Sequence, residues 1–148
     1  MGKITVVKGN IVLSPETHII HGCNAQGKFR SGVAGAIREH YPKCYQAYMN
    51  EHETTGLHLG NIIVYNDPKT NVTIYNAITQ EFYGYDGKRY VDYGAIKTAM
   101  IRADDHCTSG RLAMPMIGAG LGGGDWEVIS DIIETCVVNN QPIVYVLD

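Results

Sequence analysis

Two short windows of the sequence concentrate the residues that can hold an anionic ligand. The first contains four glycines between positions 22 and 35, and the second contains five between positions 118 and 124. Each window lies between an apolar run and a helical pattern, which predicts a loop joining a strand to a helix. Helix N-termini present free N–H groups and a positive dipole end, which suits phosphate. We therefore expect a ligand with more than one anionic group, although tight turns also explain single glycines.

Several side chains at the first window have groups that chemistry can use. Asn24 can place a carboxamide beside the glycine loop, or it can cap the local turn. His21 is a candidate acid or base, and a hydrogen-bonded core histidine is the alternative. Cys23 lacks a thiolate-stabilising pattern, which favours packing over nucleophilic attack. Lys28 and Arg30 are candidate phosphate partners, with solvated charges as the alternative.

The second window is followed by Asp125, whose carboxylate is a candidate acid or base. A helix N-cap is its favoured role, because Asp is a preferred capping residue and a free carboxylate repels phosphate. Residues 82–93 hold four Tyr, one Phe and two basic residues. These aromatic faces and cations suit a nucleotide or a sugar phosphate, with Tyr83 as the candidate ligand-binding residue, and a packed surface loop is the alternative.

Each window also matches part of a known nucleotide-binding motif. Residues 22–28 fit most of a P-loop, but Phe29 stands where Ser or Thr must ligate Mg²⁺. Residues 118–123 satisfy the dinucleotide pattern G-x-G-x-x-G, but that fold needs more strand–helix units after the motif than we find here. We therefore expect phosphate-binding loops of a different fold.

The elements that must position these residues follow from the apolar periodicity. Six β-branched runs predict strands at residues 4–8, 17–23, 61–65, 72–78, 112–117 and 143–147. Four helical patterns predict helices at residues 33–40, 42–53, 91–107 and 125–138. Their order predicts an α/β fold in which helices cover both faces of a mixed sheet. The third and fourth strands predict a hairpin.

Composition predicts a single domain over residues 1–148. Hydrophobic residues make up 45% and charged residues 18%, which excludes an intrinsically disordered chain. The net charge of −3 argues against binding of long nucleic acid. The four Cys and six His show no CxxC pair and no zinc spacing, so we expect a reduced, cytoplasmic chain without a metal. We find no signal-peptide pattern and no membrane-length apolar run, so no membrane partner is expected.

Taken together, these segments resemble those of the macro domain family. Residues 8–11 resemble its Gly-Asp-Ile segment, and residues 21–24 with 32–37 resemble its Asn-Ala-Ala-Asn…Gly-Gly-Val…Ala-Ile loop. Residues 114–120 resemble its Pro-x-Ile-Gly-x-Gly loop. The His-x-x-Asn start and the closing Tyr-Val-Leu are similar to the subgroup of the fungal ADP-ribose-1″-phosphate phosphatase and the human terminal ADP-ribose protein glycohydrolase.

The resemblance implies a three-layer α/β/α macro domain, with a central mixed β-sheet, and an ADP-ribose pocket without a metal or cofactor. Adenine would border Asn10 and Ile11, where Asn10 replaces the family's Asp. Tyr145 or Leu147 would lie near the same side.

The rest of the implied pocket comes from the two glycine windows. The distal ribose would contact Asn24, Gly32 and Val33. The diphosphate would be wrapped by the second loop, which consists of Gly118, Ala119, Gly120, Leu121, Gly122 and Gly123.

Several residues depart from the family pattern, and these departures indicate which activity to expect. Arg30 and Ser31 replace two glycines and make the distal end more crowded and cationic. Gly122 stands where the glycohydrolase would place its catalytic Asp, and Gln80-Glu81 stand where it has its reactive Lys. Asn24, where that enzyme has Ser, favours the phosphatase.

The resemblance therefore predicts hydrolysis of ADP-ribose-1″-phosphate to ADP-ribose and phosphate. Arg30 and backbone amides would bind the phosphate, Asn24 would orient the ribose or a water, and His21 or Asp125 would supply acid or base. The alternatives are a non-catalytic ADP-ribose reader, or a hydrolase of ADP-ribosyl groups from proteins or O-acetyl-ADP-ribose. We expect a monomer that binds ADP-ribose, ADP-ribose-1″-phosphate or ADP-ribosylated protein, and no nucleic acid.

Overall fold

The computed structural model describes residues 3–29, 32–84 and 86–147, and its elements follow the predicted order. The strands of the described chain are β1 Thr5–Lys8, β2 His18–Asn24, β3 Ile62–Asn66, β4 Thr73–Gln80, β5 Arg111–Met114 and β6 Gln141–Val146. The α-helices are α1 Gly32–His40, α2 Pro42–Thr54, α3 Tyr93–His106 and α4 Trp126–Cys136. A 3-10 turn, Ile11–Leu13, follows β1.

All six strands form one mixed sheet with the order β1-β6-β5-β2-β4-β3. The β3–β4 hairpin is antiparallel and the other neighbours pair in parallel, so the predicted mixed sheet and hairpin are confirmed. Parallel strands end at a common edge of the sheet. Since β2 lies between β5 and β4, the loops after these three strands meet there.

Helices cover both faces of the sheet, which confirms the three-layer architecture. One core cluster joins α1 and α2 to the sheet through residues such as Ile37 and Tyr48. The other joins α3 and α4 through residues such as Met100 and Ile133. No helix in the described ranges is long and apolar enough to cross a membrane.

Several element boundaries differ from the prediction for local reasons. Strand β5 ends at Met114 rather than at residue 117, because Pro115 has no N–H for the ladder and Ile117 N donates back to Pro115 O at 2.7 Å. Helix α3 begins at Tyr93 rather than at residue 91, because the Asp92 carboxylate caps it by accepting from Ala95 N at 2.9 Å.

Candidate functional site

A cavity of about 570 Å³ lies at the carboxyl edge of the sheet, between the two glycine loops. It is lined by His21, Gly22, Cys23, Asn24, Lys28, Gly32, Val33, Ala34, Thr79, Gln80, Tyr83, Gly84, Pro115, Met116, Ile117, Gly118, Gly120, Leu121 and Gly122. Ligand cavities commonly measure about 300–1,000 Å³. The two windows, almost a hundred residues apart in the sequence, thus enclose one space of ligand size.

Four residues of the second loop line this cavity and have unpaired backbone amides. Among the described residues, these N–H groups donate to no protein acceptor, and they belong to the loop residues that line the cavity, Gly118, Gly120, Leu121 and Gly122. The intervening Ala119 and the following Gly123 do not line it, and their amides donate to Met116 O at 3.2 Å and Gly120 O at 3.0 Å. Successive free amides in a loop form a concave site for an anion.

The geometry of this loop requires glycine at several positions, of which Gly118 and Gly122 line the cavity. Gly118 adopts a positive φ of 79°, which disfavours other residues. A Cβ at Gly122 would lie 2.7 Å from Gly118 O, and Gly122 O accepts from Tyr90 N at 2.7 Å and Val91 N at 3.0 Å. The backbone at Gly122 is therefore closely held, with no room for a carboxylate side chain in this conformation.

Asn24 holds the first loop in shape while also lining the cavity. Its Nδ2 donates to Lys28 O at 2.7 Å, and its Oδ1 accepts from Gln26 N at 3.0 Å and Lys28 N at 3.2 Å. Tyr48 OH also donates to Asn24 O at 2.6 Å. The turn-capping role is thus present in the structure, whereas the role in orienting ribose or water stays a prediction.

His21 borders the cavity but is only 1% exposed. Its Nε2 lies 2.6 Å from the Asn76 Oδ1 acceptor, and its ring packs edge-on to Phe29. Burial lowers the His21 pKa to about 4, so the ring is neutral at pH 7. Burial also raises the pKa of the adjacent Cys23 thiol well above its ordinary value. This environment favours the core-histidine interpretation over acid–base chemistry, and packing over a nucleophilic thiolate at Cys23.

Asp125 caps α4 and does not line the cavity. Its Oδ1 accepts from Glu127 N at 2.9 Å, and its own N–H donates to Tyr93 OH at 3.0 Å. Asp125 is therefore the N-cap of α4, the role predicted for it from its residue type. Its carboxylate is directed to the helix end, where it complements the helix dipole.

The four residues expected on the adenine side do not line the cavity. Asn10 Oδ1 caps the 3-10 turn by accepting from Val12 N at 3.2 Å, and Ile11 is buried in the core. Leu147 is 74% exposed. These residues lie in β6 or shortly after β1 and β6, and both strands lie beyond β5 in the sheet, away from β2 and β4. The cavity therefore lies at the two glycine loops and not at these four residues.

Tyr145 packs into the core instead of facing this cavity, and its hydroxyl explains why. Tyr145 OH donates to the buried Glu16 Oε2 at 2.7 Å, and Arg111 Nε donates to Glu16 Oε1 at 3.0 Å. The Arg111 hydrogen bond lowers the pKa of the Glu16 carboxyl. A buried carboxylate needs such partners, and Tyr145 supplies one of them.

The remaining predicted residues fall into two groups. Gly32 and Val33 line the cavity at the start of α1, and Tyr83 lines it from the segment after β4. Arg30 and Ser31, predicted at the distal end, lie outside the described residues. Among the described residues, no group of three or more His, Cys, Asp or Glu side chains could hold a metal ion.

Thr79 and Met116 line the cavity but were not predicted as site residues from the sequence. Thr79, near the end of β4, forms part of the floor, and the end of that apolar strand was the only available signal. The rim is apolar and exposed, with Tyr83 at 43%, Leu121 at 50% and Met116 at 41%, and Phe82, which precedes Tyr83 in the chain, is 61% exposed. Exposed apolar rims of this kind are typical of surfaces that contact a partner.

Comparison with known proteins gives a consistent result. The macro domain family model matches residues 20–133. The uncharacterized 17.5 kDa protein in the tk-vs intergenic region of Enterobacteria phage T4 is 30% identical over 141 residues, covering 89% of this chain and 88% of that protein.

Two enzymes match over smaller shares of their own length. The DNA ADP-ribosyl glycohydrolase of Thermus aquaticus is 28% identical over 134 residues, covering 86% of this chain and 36% of that protein. The ADP-ribose 1″-phosphate phosphatase of Saccharomyces cerevisiae is 39% identical over 62 residues, covering 40% of this chain and 34% of that protein. The solved macrodomain of Thermus aquaticus DarG superposes with a TM-score of 0.80 at 21% identity, with 96% of both chains covered.

Proposed function

The chain belongs to the macro domain family, and from this premise we propose that its cavity binds the distal part of ADP-ribose. The observation that carries the proposal is the set of four unpaired amides in the second loop. A diphosphate supplies the acceptors and the negative charge that such amides lack. Lys28 adds a cationic side chain to the same cavity.

We further propose that the chain hydrolyses the terminal phosphate of ADP-ribose-1″-phosphate. Lys28 and Asn24 border the cavity beside the start of α1, where the distal ribose is expected. The Saccharomyces cerevisiae phosphatase, similar over part of the chain, supports this choice. His21 is neutral and Asp125 caps a helix, so neither is assigned acid or base chemistry. Hydrolysis would instead use electrostatic stabilisation of the phosphate and a water that the first loop orients.

A second candidate is removal of ADP-ribosyl groups from DNA. The Thermus aquaticus relative is a DNA ADP-ribosyl glycohydrolase and is similar over most of this chain. The exposed Tyr83, which lines the cavity, and the exposed Phe82 beside it in the chain favour a substrate with bases, since bases stack on aromatic side chains. Gln80 stands where the human terminal ADP-ribose protein glycohydrolase has its reactive Lys, so phosphatase activity is preferred over glycohydrolase activity.

One parallel assay separates these possibilities. The purified chain is incubated with ADP-ribose-1″-phosphate, ADP-ribosylated single-stranded DNA, mono-ADP-ribosylated protein and O-acetyl-ADP-ribose. We expect phosphate release from the first substrate. Release of ADP-ribose only from DNA would transfer the function to the second candidate, and ADP-ribose binding without any turnover would identify a reader.

The contribution of Lys28 supplies a matched control for that assay. Replacing Lys28 with Met removes a cation from the cavity, and we expect kcat/KM for phosphate release to fall about tenfold, as for loss of one charge-assisted hydrogen bond. Lys69→Met removes an exposed charge that does not line the cavity and should leave kcat/KM unchanged. Equal rates for both variants would contradict the assigned position of the phosphate.

A further inference from the structure

Thr79 carries an unused hydroxyl at the floor of the cavity. The residue is only 1% exposed and lines the cavity. Its hydroxyl has no hydrogen-bond partner among the described residues, although every fully buried side-chain N or O atom there is paired. The hydroxyl therefore keeps a small area open to the cavity, and it is free to pair with a ligand atom.

The backbone around Thr79 is arranged to place this side chain. Cys23 of β2 pairs with Ile78 of β4, but Asn24 pairs with Gln80, so the register shift leaves Thr79 without a paired residue in β2. Such irregularities in strand pairing re-aim side chains beside functional sites. On the other side, Asp92 N donates to Thr79 O at 2.7 Å and fixes the backbone.

The opposite strand leaves room for the hydroxyl. A Cβ at Gly22 would lie 2.8 Å from Thr79 Oγ1 and 3.2 Å from Ile117 Cγ1. Because Gly22 has no side chain, there is space for the Thr79 hydroxyl between β2, which leads into the first loop, and Ile117, which precedes the second loop. Asn24, two residues after Gly22, and Gly118, directly after Ile117, line the same cavity.

We propose that the Thr79 hydroxyl hydrogen-bonds the ribose–phosphate end of the bound ligand. This inference rests on the proposed binding of ADP-ribose. A ligand that fills the cavity removes the hydroxyl from water, and an unpaired buried hydroxyl carries a substantial penalty. Thr79 therefore selects ligands whose sugar hydroxyl or phosphate oxygen reaches the cavity floor.

Calorimetric titration of two variants with two ligands tests this role. Thr79→Val keeps the shape of the side chain and removes the hydroxyl, whereas Thr79→Ser keeps the hydroxyl. We expect Thr79→Val to weaken ADP-ribose binding about tenfold and Thr79→Ser to stay within about threefold of wild type. AMP lacks the distal ribose and second phosphate, so its affinity should be unchanged in both variants.

The possible outcomes separate this inference from the proposed function. Wild-type affinity for ADP-ribose in Thr79→Val would overturn the role of Thr79 and leave the proposed function intact. An equal loss of ADP-ribose affinity in Thr79→Val and Thr79→Ser would show a structural effect and overturn the role of the hydroxyl. An equal loss of AMP affinity in Thr79→Val would overturn the assignment of Thr79 to the distal ribose and second phosphate. A wild-type chain that binds neither ligand would overturn both proposals. Far-ultraviolet circular dichroism and the unfolding midpoint confirm that each variant is folded.

Discussion

His21 and Asn24 lie three residues apart at the end of β2, and their hydrogen bonds give them different tasks. The neutral His21 ring is held by Asn76 inside the core, while the Asn24 carboxamide shapes the loop that borders the cavity. Thr79, on the neighbouring strand, has a free hydroxyl at the same cavity. The hydrogen bonds of His21 and Asn24 thus hold the site in shape, whereas the unpaired Thr79 hydroxyl is available to a ligand.

The burial of His21 predicts a specific pH dependence of stability. Its pKa is about 4 in the folded chain and near 6.5 in the unfolded chain, so only the unfolded chain binds the proton between these values. The contribution of neutral His21 to the free energy of unfolding is complete above pH 6.5 and is lost as the pH falls toward 4. We expect wild type to lose about 2 kcal/mol more than His21→Gln between pH 7 and pH 4.5.

Urea unfolding of both proteins at the two pH values measures this difference. Gln at position 21 retains an N–H donor for Asn76, so the variant tests the titration rather than the hydrogen bond alone. The same pH dependence in both proteins would contradict the assignment of His21 as a buried neutral residue. A titration of phosphate release near pH 6.5 that disappears in His21→Gln would restore its acid–base role.

At the scale of elements, α3 and the second loop form a connected unit. The segment before α3 binds Gly122 O through Tyr90 N and Val91 N, and Tyr93 OH accepts from Asp125 N at the start of α4. At the other end of α3, Asp104 is 2% exposed and accepts from Val138 N at 3.1 Å and from Asn140 Nδ2 at 2.9 Å. The layer formed by α3 and α4 is therefore fixed at both ends.

Asp104 should therefore dominate the stability of this layer. Asp104→Ala removes the carboxylate that accepts from Val138 N, Asn139 N and Asn140 Nδ2, and we expect the free energy of unfolding to fall by about 2–4 kcal/mol. Asp105→Ala changes the exposed neighbour on the same helix and should alter it by about 0.5 kcal/mol or less. Chemical denaturation measures both values, and similar losses in the two variants would contradict the role given to Asp104.

At the scale of the whole molecule, the sheet order creates the site. Parallel pairing of β2 with β4 and β5 brings loops from distant parts of the sequence to one edge. The strand and helix patterns and the glycine windows were readable from the sequence because they depend on local periodicity and backbone freedom. The cavity could be anticipated because the carboxyl ends of parallel strands meet.

Other features of the site depend on partners that local patterns do not reveal. Tyr145 is directed into the core by Glu16, which lies 129 residues earlier in the chain. The position of Thr79 depends on a register shift between two strands. Sequence patterns identify the chemical groups of a side chain, but they do not show which distant residue hydrogen-bonds or packs against it.

Titration calorimetry with ADP-ribose on wild type and Gly120→Glu tests the central claim most directly. A Cβ at Gly120 would meet no heavy atom within 4 Å, so the substitution should be accommodated while it adds a carboxylate among the free amides. Thr108→Glu adds the same charge at an exposed position that does not line the cavity. We predict saturable binding to wild type and Thr108→Glu, and at least about tenfold weaker binding to Gly120→Glu. Absence of binding to wild type, or equal affinity in Gly120→Glu, would contradict the account.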